Sequence, residues 1–320
     1  MNTQVPFLSG LWKEIFGVTW TLYKIMIPII IMIKIVEELG GIVLLSQWLS
    51  PVMALVGLPS EMGLVWAATI VTNLYAGLVV FMSIDAELTV AQVSVLGTLL
   101  LLAHSLPLET AVAKKAGVGI VITLMVRLGG SLLMAWALHQ IYQEGDLLNY
   151  PAEAIWQHVP THDPSYITWA VDQLKSLAMI FVVIAVLITF LRLLKWLGIE
   201  KLMAIVLKPI LSILGISRDA TNLTIIGITL GLSFGGGLLI NEAKRGHISP
   251  RDIFVSMMLL SLLHSLIEDT LLILLIGANF TTIFWGRIVF SLLVVSLLVL
   301  VIKRIDECVC LKYFYKKISE

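Results

Sequence analysis

The chain has 320 residues, of which 59% are hydrophobic and 13% are charged, and its 21 basic residues balance its 21 acidic ones. Soluble globular domains carry about 25% charged residues, so this composition excludes a soluble enzyme, a disordered chain and a nucleic-acid-binding protein. We therefore predict an all-α integral membrane protein whose main partner is the lipid bilayer. The length is enough for roughly ten spans of about 20 residues each.

Apolar segments follow one another along the chain. Lipid offers the backbone no hydrogen-bond partners, so each such segment must be a helix. The first group covers 15–36, 42–57, 62–84, 88–108 and 117–142, and the second covers 176–191, 201–216, 220–241, 253–267, 270–286 and 288–302. These eleven apolar segments predict about ten transmembrane or re-entrant helices. The segments 42–57 and 201–216 are short for a full span, and the sequence leaves open whether they cross the membrane or re-enter.

The loops indicate the orientation, because Lys and Arg concentrate on the cytoplasmic side of a membrane protein. Lys114 and Lys115 follow the fourth segment, and the tail 303–320 begins with Lys303 and Arg304. The linker 143–167 is acidic and contains neither Lys nor Arg. We predict an inner (plasma) membrane protein with both termini in the cytoplasm and the linker outside.

The second part of the chain repeats the first. Residues 88–136 align without a gap to residues 248–296. The polar matches exceed what an apolar composition produces by chance: His104-Ser105-Leu106 recurs as His264-Ser265-Leu266, and Arg127 recurs as Arg287. Upstream, Leu49-x-Pro51 and Gly57 recur as Leu207-x-Pro209 and Gly215.

The repeat and the loop charges together predict an inverted architecture. A repeat of five helices has an odd number of spans, so two copies in tandem enter the membrane from opposite sides. We predict a first repeat over 1–142, the extracytoplasmic linker 143–167, a second inverted repeat over 168–302 and the basic cytoplasmic tail 303–320. Inverted repeats are typical of secondary transporters, in which a central site opens alternately to each face. A duplicated scaffold that transports nothing is the alternative.

The repeated motif carries ionisable side chains. His104 and Glu109 flank Pro107, and His264 is followed by Glu268 and Asp269. His264 and Glu268 have i, i+4 spacing, which predicts one shared helical face, and Pro107 predicts a break in its helix. Ionisable groups inside a membrane are costly and usually face a cavity or a partner, so we predict a central binding site here.

Three kinds of chemistry fit these residues. Imidazole and carboxylate ligands suit a divalent metal ion, for which His104, His264 and Glu268 are the candidate ligands. The histidines also suit proton transfer, since His titrates near neutral pH, and the whole cluster suits hydrogen bonding to a polar solute. The alternative is that the groups satisfy one another and pin the helix packing. Arg127 and Arg287 are predicted counter-ions of the carboxylates, and binding of an anionic substrate group is the alternative.

Glycine and small polar residues mark a second candidate region. Gly227, Gly231 and Gly235 suit close helix packing, and the run Gly235-Gly236-Gly237 predicts an unwound segment of the kind that binds substrate in transporters. Asn73, Ser233 and Asn241 are predicted polar contacts of the cargo. Packing without binding is equally compatible with these glycines.

Motif searches leave one enzyme hypothesis. Gly231-Leu-Ser233-Phe-Gly235 fits G-x-S-x-G, so an intramembrane serine protease with Ser233 and His264 is the rival function, although that motif needs a strand-to-helix turn. The chain contains no P-loop and no H-E-x-x-H motif. Cys308 and Cys310 lie in the tail, and the sequence assigns them no role.

The paired halves, the H-S-L-x-x-[ED]-T motif with its following Gly and Arg, and the Asn- and Gly-bearing helix before it resemble the nucleoside-recognition, or Gate-domain, membrane proteins. That family includes the bacterial spore-maturation membrane proteins, and the Gate name is shared with regions of ferrous-iron and concentrative nucleoside transporters. The resemblance covers 45–140 and 203–300 and implies that each half is one Gate unit.

We expect a transporter and not an enzyme. The expected cargo is a small polar solute, which the resemblance implies to be nucleoside-like, or a divalent metal ion. No resident cofactor is expected beyond such a metal or a coupling proton or ion, and a homo-oligomer is compatible with the sequence.

Overall fold

The structure, a computed structural model, describes residues 7–84, 86–154 and 165–316. These residues form helices joined by short loops, with the following bounds: α1 Phe7–Glu38, α2 Gly41–Leu55, α3 Met62–Val71, α4 Leu74–Ser83, α5 Val90–Ala103, α6 Leu106–Lys115, α7 Ile120–Leu124, a π-helical turn Met125–Gly129, α8 Gly130–Gly145, α9 Tyr166–Trp196, α10 Ile199–Ile213, α11 Arg218–Leu230, α12 Leu232–Arg245, α13 Pro250–Leu263, α14 Leu266–Leu274, a second π-helical turn Thr281–Gly286, α15 Arg287–Arg304 and α16 Glu307–Tyr313.

The described residues contain six helical segments that are long and apolar enough to cross a membrane: Gly10–Val36, Val90–Lys115, Ile120–Gly145, Tyr166–Trp196, Pro250–Leu274 and Thr281–Arg304. The predicted all-helical membrane protein is therefore confirmed. The helices α2 and α10 have 15 residues each, which corresponds to about 22 Å and is shorter than the roughly 30 Å hydrocarbon core. The count of about ten membrane segments stays a prediction.

Four of the apolar segments are interrupted helices. The helices α3 and α4 separate at Thr72 and Asn73, where Asn73 is extended and its side-chain oxygen accepts a hydrogen bond from the Ala76 amide at 3.0 Å. Their counterparts α11 and α12 separate at Gly231, whose φ of +90° is open to glycine alone. The prediction of an unwound Gly235-Gly236-Gly237 run is wrong, because these glycines lie within α12 and the break precedes them.

The other two breaks fall within the repeated motif. His104 and His264 are the C-cap residues that follow α5 and α13, and the next residues, Ser105 and Ser265, adopt left-handed conformations with φ of +51° and +47°. The break therefore precedes Pro107, which lies in the first turn of α6, where its missing N–H costs nothing. The predicted single helical face for His264 and Glu268 is wrong, because Ser265 redirects the chain between them.

The apolar core is continuous across the predicted halves. Gly97 of α5 lies against Ile273 of α14, and Gly236 of α12 lies against Val112 of α6. The helices α1 and α9 pack against each other along the outside of the molecule, where a small cluster including Met26 and Ile180 is buried. Side chains from both parts of the sequence thus surround the four helix breaks. Residues 155–164 of the linker lie outside the described residues.

Candidate functional site

Two buried histidines face each other at the centre of the molecule. The Nε2 atoms of His104 and His264 are 3.0 Å apart, and each ring nitrogen Nδ1 contacts the carbonyl oxygen four residues earlier, that of Leu100 at 3.1 Å and that of Leu260 at 2.8 Å. A carbonyl oxygen only accepts, so each Nδ1 donates and each neutral ring presents an unprotonated Nε2. Two lone pairs at this separation repel, and a proton or a metal ion between them removes the repulsion.

The local sequence explains why the histidines meet. Each is the C-cap residue that directly follows its helix, so its ring nitrogen can reach a carbonyl of the final turn, which the helix itself leaves unpaired. The following serine turns the chain away in a left-handed conformation, which is costly for a residue other than glycine. Ser105 is held there by two bonds, from its amide to the Thr69 carbonyl at 3.0 Å and from its hydroxyl to the Thr72 carbonyl at 2.6 Å. The α5–α6 break is thereby tied to the α3–α4 break.

Glu109 and Asp269 flank the histidine pair. Glu109 Oε1 lies 3.4 Å from Nε2 of His104 and 3.4 Å from Nε2 of His264, and its second oxygen accepts a hydrogen bond from Arg127. Asp269 Oδ2 lies 3.9 Å from His104 Nε2 and 3.7 Å from Arg287. That oxygen is buried and has no hydrogen-bond partner among the residues that the structure describes.

The two arginines are fully buried. Arg127 donates to the carbonyl of His104 at 2.7 Å and to that of Ser261 at 2.6 Å, and Arg287 donates to those of Leu262 at 2.8 Å and His264 at 2.9 Å. Each guanidinium group therefore lies at the carboxyl end of a helix, where unpaired carbonyls favour a cation. These carbonyl contacts were missed by sequence reasoning, which considered the arginines as partners of carboxylates or of an anionic substrate group.

Glu268 lies apart from the ligand atoms around the histidines. The Tyr75 hydroxyl donates to Glu268 Oε1 at 3.4 Å. Among the described residues, His104, His264 and Asp269 offer ligand atoms that all lie within 4.8 Å of one another. The structure thus brings Asp269, and not the predicted Glu268, to the histidines. Tyr75 had no predicted role, and its position beside Asn73 was the only available signal.

A cavity of about 280 Å³ opens over the histidine pair. Asn73, Tyr75, Gly231 and Glu268 contribute to its lining, together with the histidines and the flanking carboxylates. Asn73 uses its side-chain oxygen to cap α4. The predicted polar contact Asn241 lies away from this lining on an exposed part of α12, and the side chain of Ser233 lies outside the described residues.

Ser233 does not lie in the strand-to-helix turn that the G-x-S-x-G motif requires. The residue before the motif ends the helix α11, and Ser233 lies in the first turn of α12, so no strand leads into this position. The Nδ1 atom of His264 donates to the Leu260 carbonyl, and its Nε2 atom faces His104 and Glu109. These observations do not support the Ser233–His264 protease hypothesis.

Comparison with known proteins identifies one informative relative. The chain is 29% identical over 276 residues to a Bacillus subtilis (strain 168) protein described as the uncharacterized membrane protein YvoD, and the match covers 85% of this chain and 86% of the relative. No family model matches the chain, and no solved structure matches it. The chain is therefore similar to a membrane protein along most of its length, and the Gate-domain resemblance stays a prediction.

Proposed function

We propose that this protein is a membrane transporter in which two inverted halves alternately expose the central cavity to the two sides of the membrane. The observation that carries the proposal is the convergence of four helix breaks on one cavity that is lined by buried ionisable side chains. Interrupted helices near mid-membrane are the usual means by which transporters bind a polar cargo, because the breaks free backbone groups and leave room. The cargo is a small polar solute, nucleoside-like by the resemblance, or a divalent metal ion.

The repeated local geometry supports two exchangeable halves. The pairs His104 and His264, Ser105 and Ser265, and Arg127 and Arg287 have the same backbone conformation or the same kind of partner in each half. In alternating access the two halves exchange conformations. This exchange requires that the helix breaks in the two halves be equivalent and similar in energy. A proton or ion gradient, or a partner protein, supplies the energy in this proposal.

Alternating access can be tested without knowing the cargo, by measuring whether a reagent reaches the cavity from each side of the membrane. In a background with Cys308→Ser and Cys310→Ala, a Leu108→Cys variant places one thiol in the cavity lining at a residue that is 62% exposed. We expect a membrane-impermeant maleimide to label this thiol from either side of sealed vesicles, because both states are populated. The measurement is labelling from each side in vesicles of known orientation.

The control is Leu102→Cys in the same background, at a fully buried position on the preceding helix, which should stay unlabelled from both sides. Labelling of Leu108→Cys from one side only, under all conditions, would contradict the transporter and support a fixed scaffold.

A further inference from the structure

We infer that the ligand of the central cavity is a divalent transition-metal cation held by Nε2 of His104, Nε2 of His264 and Oε1 of Glu109, with Asp269 as the fourth ligand. The site itself is argued from geometry. Only the step from bound ion to transported ion rests on the proposed function.

The three ligand atoms already form a triangle of the right size. Its sides are 3.0 Å between the two Nε2 atoms and 3.4 Å from each of these to Glu109 Oε1. A tetrahedral Zn²⁺ site with bonds of about 2.0–2.1 Å separates neighbouring ligand atoms by about 3.3 Å. The triangle therefore matches one face of such a tetrahedron to within a few tenths of an ångström.

The groups behind the ligands have the arrangement typical of metal sites. Histidine ligands usually donate the other ring N–H to a carbonyl or a carboxylate, which orients the ring and fixes the tautomer. Here the Nδ1 atoms of His104 and His264 donate to carbonyls of their own helices. Glu109 binds Arg127 through one oxygen and keeps the other toward the histidines. The two unprotonated Nε2 atoms and Oε1 of Glu109 thus lie close together.

Asp269 supplies an independent observation. Its Oδ2 atom lies 3.7 Å from Arg287 but is buried without a hydrogen-bond partner among the described residues, and burial of a carboxylate oxygen without a hydrogen bond is costly. The atom belongs to the group within 4.8 Å that includes both histidines. A cation bound between the histidines would satisfy this oxygen, so the structure has a place for a fourth ligand.

Chemistry and size select the kind of ligand. Two imidazoles with carboxylates suit Zn²⁺, Fe²⁺ or Co²⁺, whereas Mg²⁺ and Ca²⁺ prefer oxygen ligands alone. The cavity of about 280 Å³ is close to the lower limit of organic-ligand pockets, roughly 300–1,000 Å³, so it suits a small ligand. Three acidic side chains, Glu109, Glu268 and Asp269, line the cavity, whereas neither buried arginine is among its described lining residues, which favours a cation over an anion.

The test uses purified full-length protein in detergent, with Co²⁺ and Zn²⁺ as probes. We expect one Co²⁺ per chain with the intense visible absorption of a four-coordinate site, displaced by Zn²⁺. The variants His104→Asn and Asp269→Asn should bind Zn²⁺ at least about 100-fold more weakly. His247→Asn, which changes an exposed histidine, is the matched control and should bind like the parent protein.

A variant that should gain a spectroscopic signal excludes misfolding as the cause of lost binding. His264→Cys in the Cys308→Ser and Cys310→Ala background keeps a ligand at the same position, and we expect a new thiolate-to-Co²⁺ charge-transfer band. Unchanged affinity in His104→Asn together with no such band in His264→Cys would overturn the proposed site, as would the absence of Co²⁺ binding to the parent protein.

Flux is measured separately, with a Zn²⁺ indicator inside proteoliposomes. Binding with the expected spectra but no flux would leave the metal site standing and contradict the transporter. Flux of an organic solute by a protein that binds no Co²⁺ or Zn²⁺ would contradict the metal site and leave the transporter standing. The two proposals can therefore fail independently.

Discussion

Single residues define the centre of this protein because each helix break depends on one backbone conformation. Gly231 is the clearest case, with a φ of +90° that side-chain-bearing residues avoid. A Cβ at this position would also lie 2.7 Å from the hydroxyl oxygen of Ser265. Gly237 lies within α12, and among the described residues a Cβ there would have no atom within 4 Å apart from its chain neighbours and the backbone of its own helix.

These two glycines allow a matched prediction. Gly231→Ala should lower the free energy of unfolding by about 2 kcal/mol, because alanine pays for the backbone conformation and meets Ser265. Gly237→Ala should leave the stability unchanged or raise it by up to about 1 kcal/mol, since alanine favours the helix. Denaturant unfolding in detergent measures both, and equal effects of the two substitutions would contradict the assignment of the break to Gly231.

At the scale of elements, the interrupted helices need caps, because each break leaves unpaired backbone groups in an apolar setting. Asn73 caps α4 through the Ala76 amide, Ser105 satisfies two carbonyls of the α3 end, and the arginines satisfy carbonyls at the ends of α5 and α13. The sequence predicted breaks near the right positions, but it assigned Asn73 to cargo binding alone.

Substitutions at Asn73 separate the two roles. Asn73→Ala should lower the stability by about 1 kcal/mol through loss of the cap, and Asn73→Ser should restore most of it, because serine is also a good N-cap residue. Asn241→Ala, at an exposed position of α12, should change the stability by less than about 0.5 kcal/mol. Thermal unfolding in detergent gives these differences. If Asn73→Ala were as stable as the parent protein, the cap would have no energetic role.

For the whole molecule, the orientation in the membrane is the decisive property, because inversion of the halves requires the linker and the tail to lie on opposite sides. The positive charges of Lys303 and Arg304 favour a cytoplasmic tail, while the linker has none. The shared core, in which α6 packs on α12 and α14 lies against α5, shows that the halves do not form separate hydrophobic units.

Reporter fusions measure this orientation directly. We expect green fluorescent protein fused after Glu320 to fluoresce, and alkaline phosphatase fused after Tyr150 to be active, because the first folds in the cytoplasm and the second matures outside. The reciprocal fusions, with the reporters exchanged, serve as controls and should be inactive. Activity of the same reporter at both positions would contradict two inverted halves of five segments each.

The sequence by itself determined the membrane environment, the all-helical class and the repeated polar motif. Membrane insertion requires long apolar segments, and the few charged residues within them are therefore easy to identify. Local signals such as Pro107 and the glycine run placed the helix breaks only to within a few residues, since the choice of the breaking residue depends on neighbours distant in sequence.

Only the tertiary structure decided that His104 and His264 meet through their Nε2 atoms, that Asp269 and not Glu268 joins them, and that both arginines bind helix-end carbonyls. Those contacts join helices from both halves of the chain, and their distances depend on how the helices pack, which residue spacing along one chain does not encode.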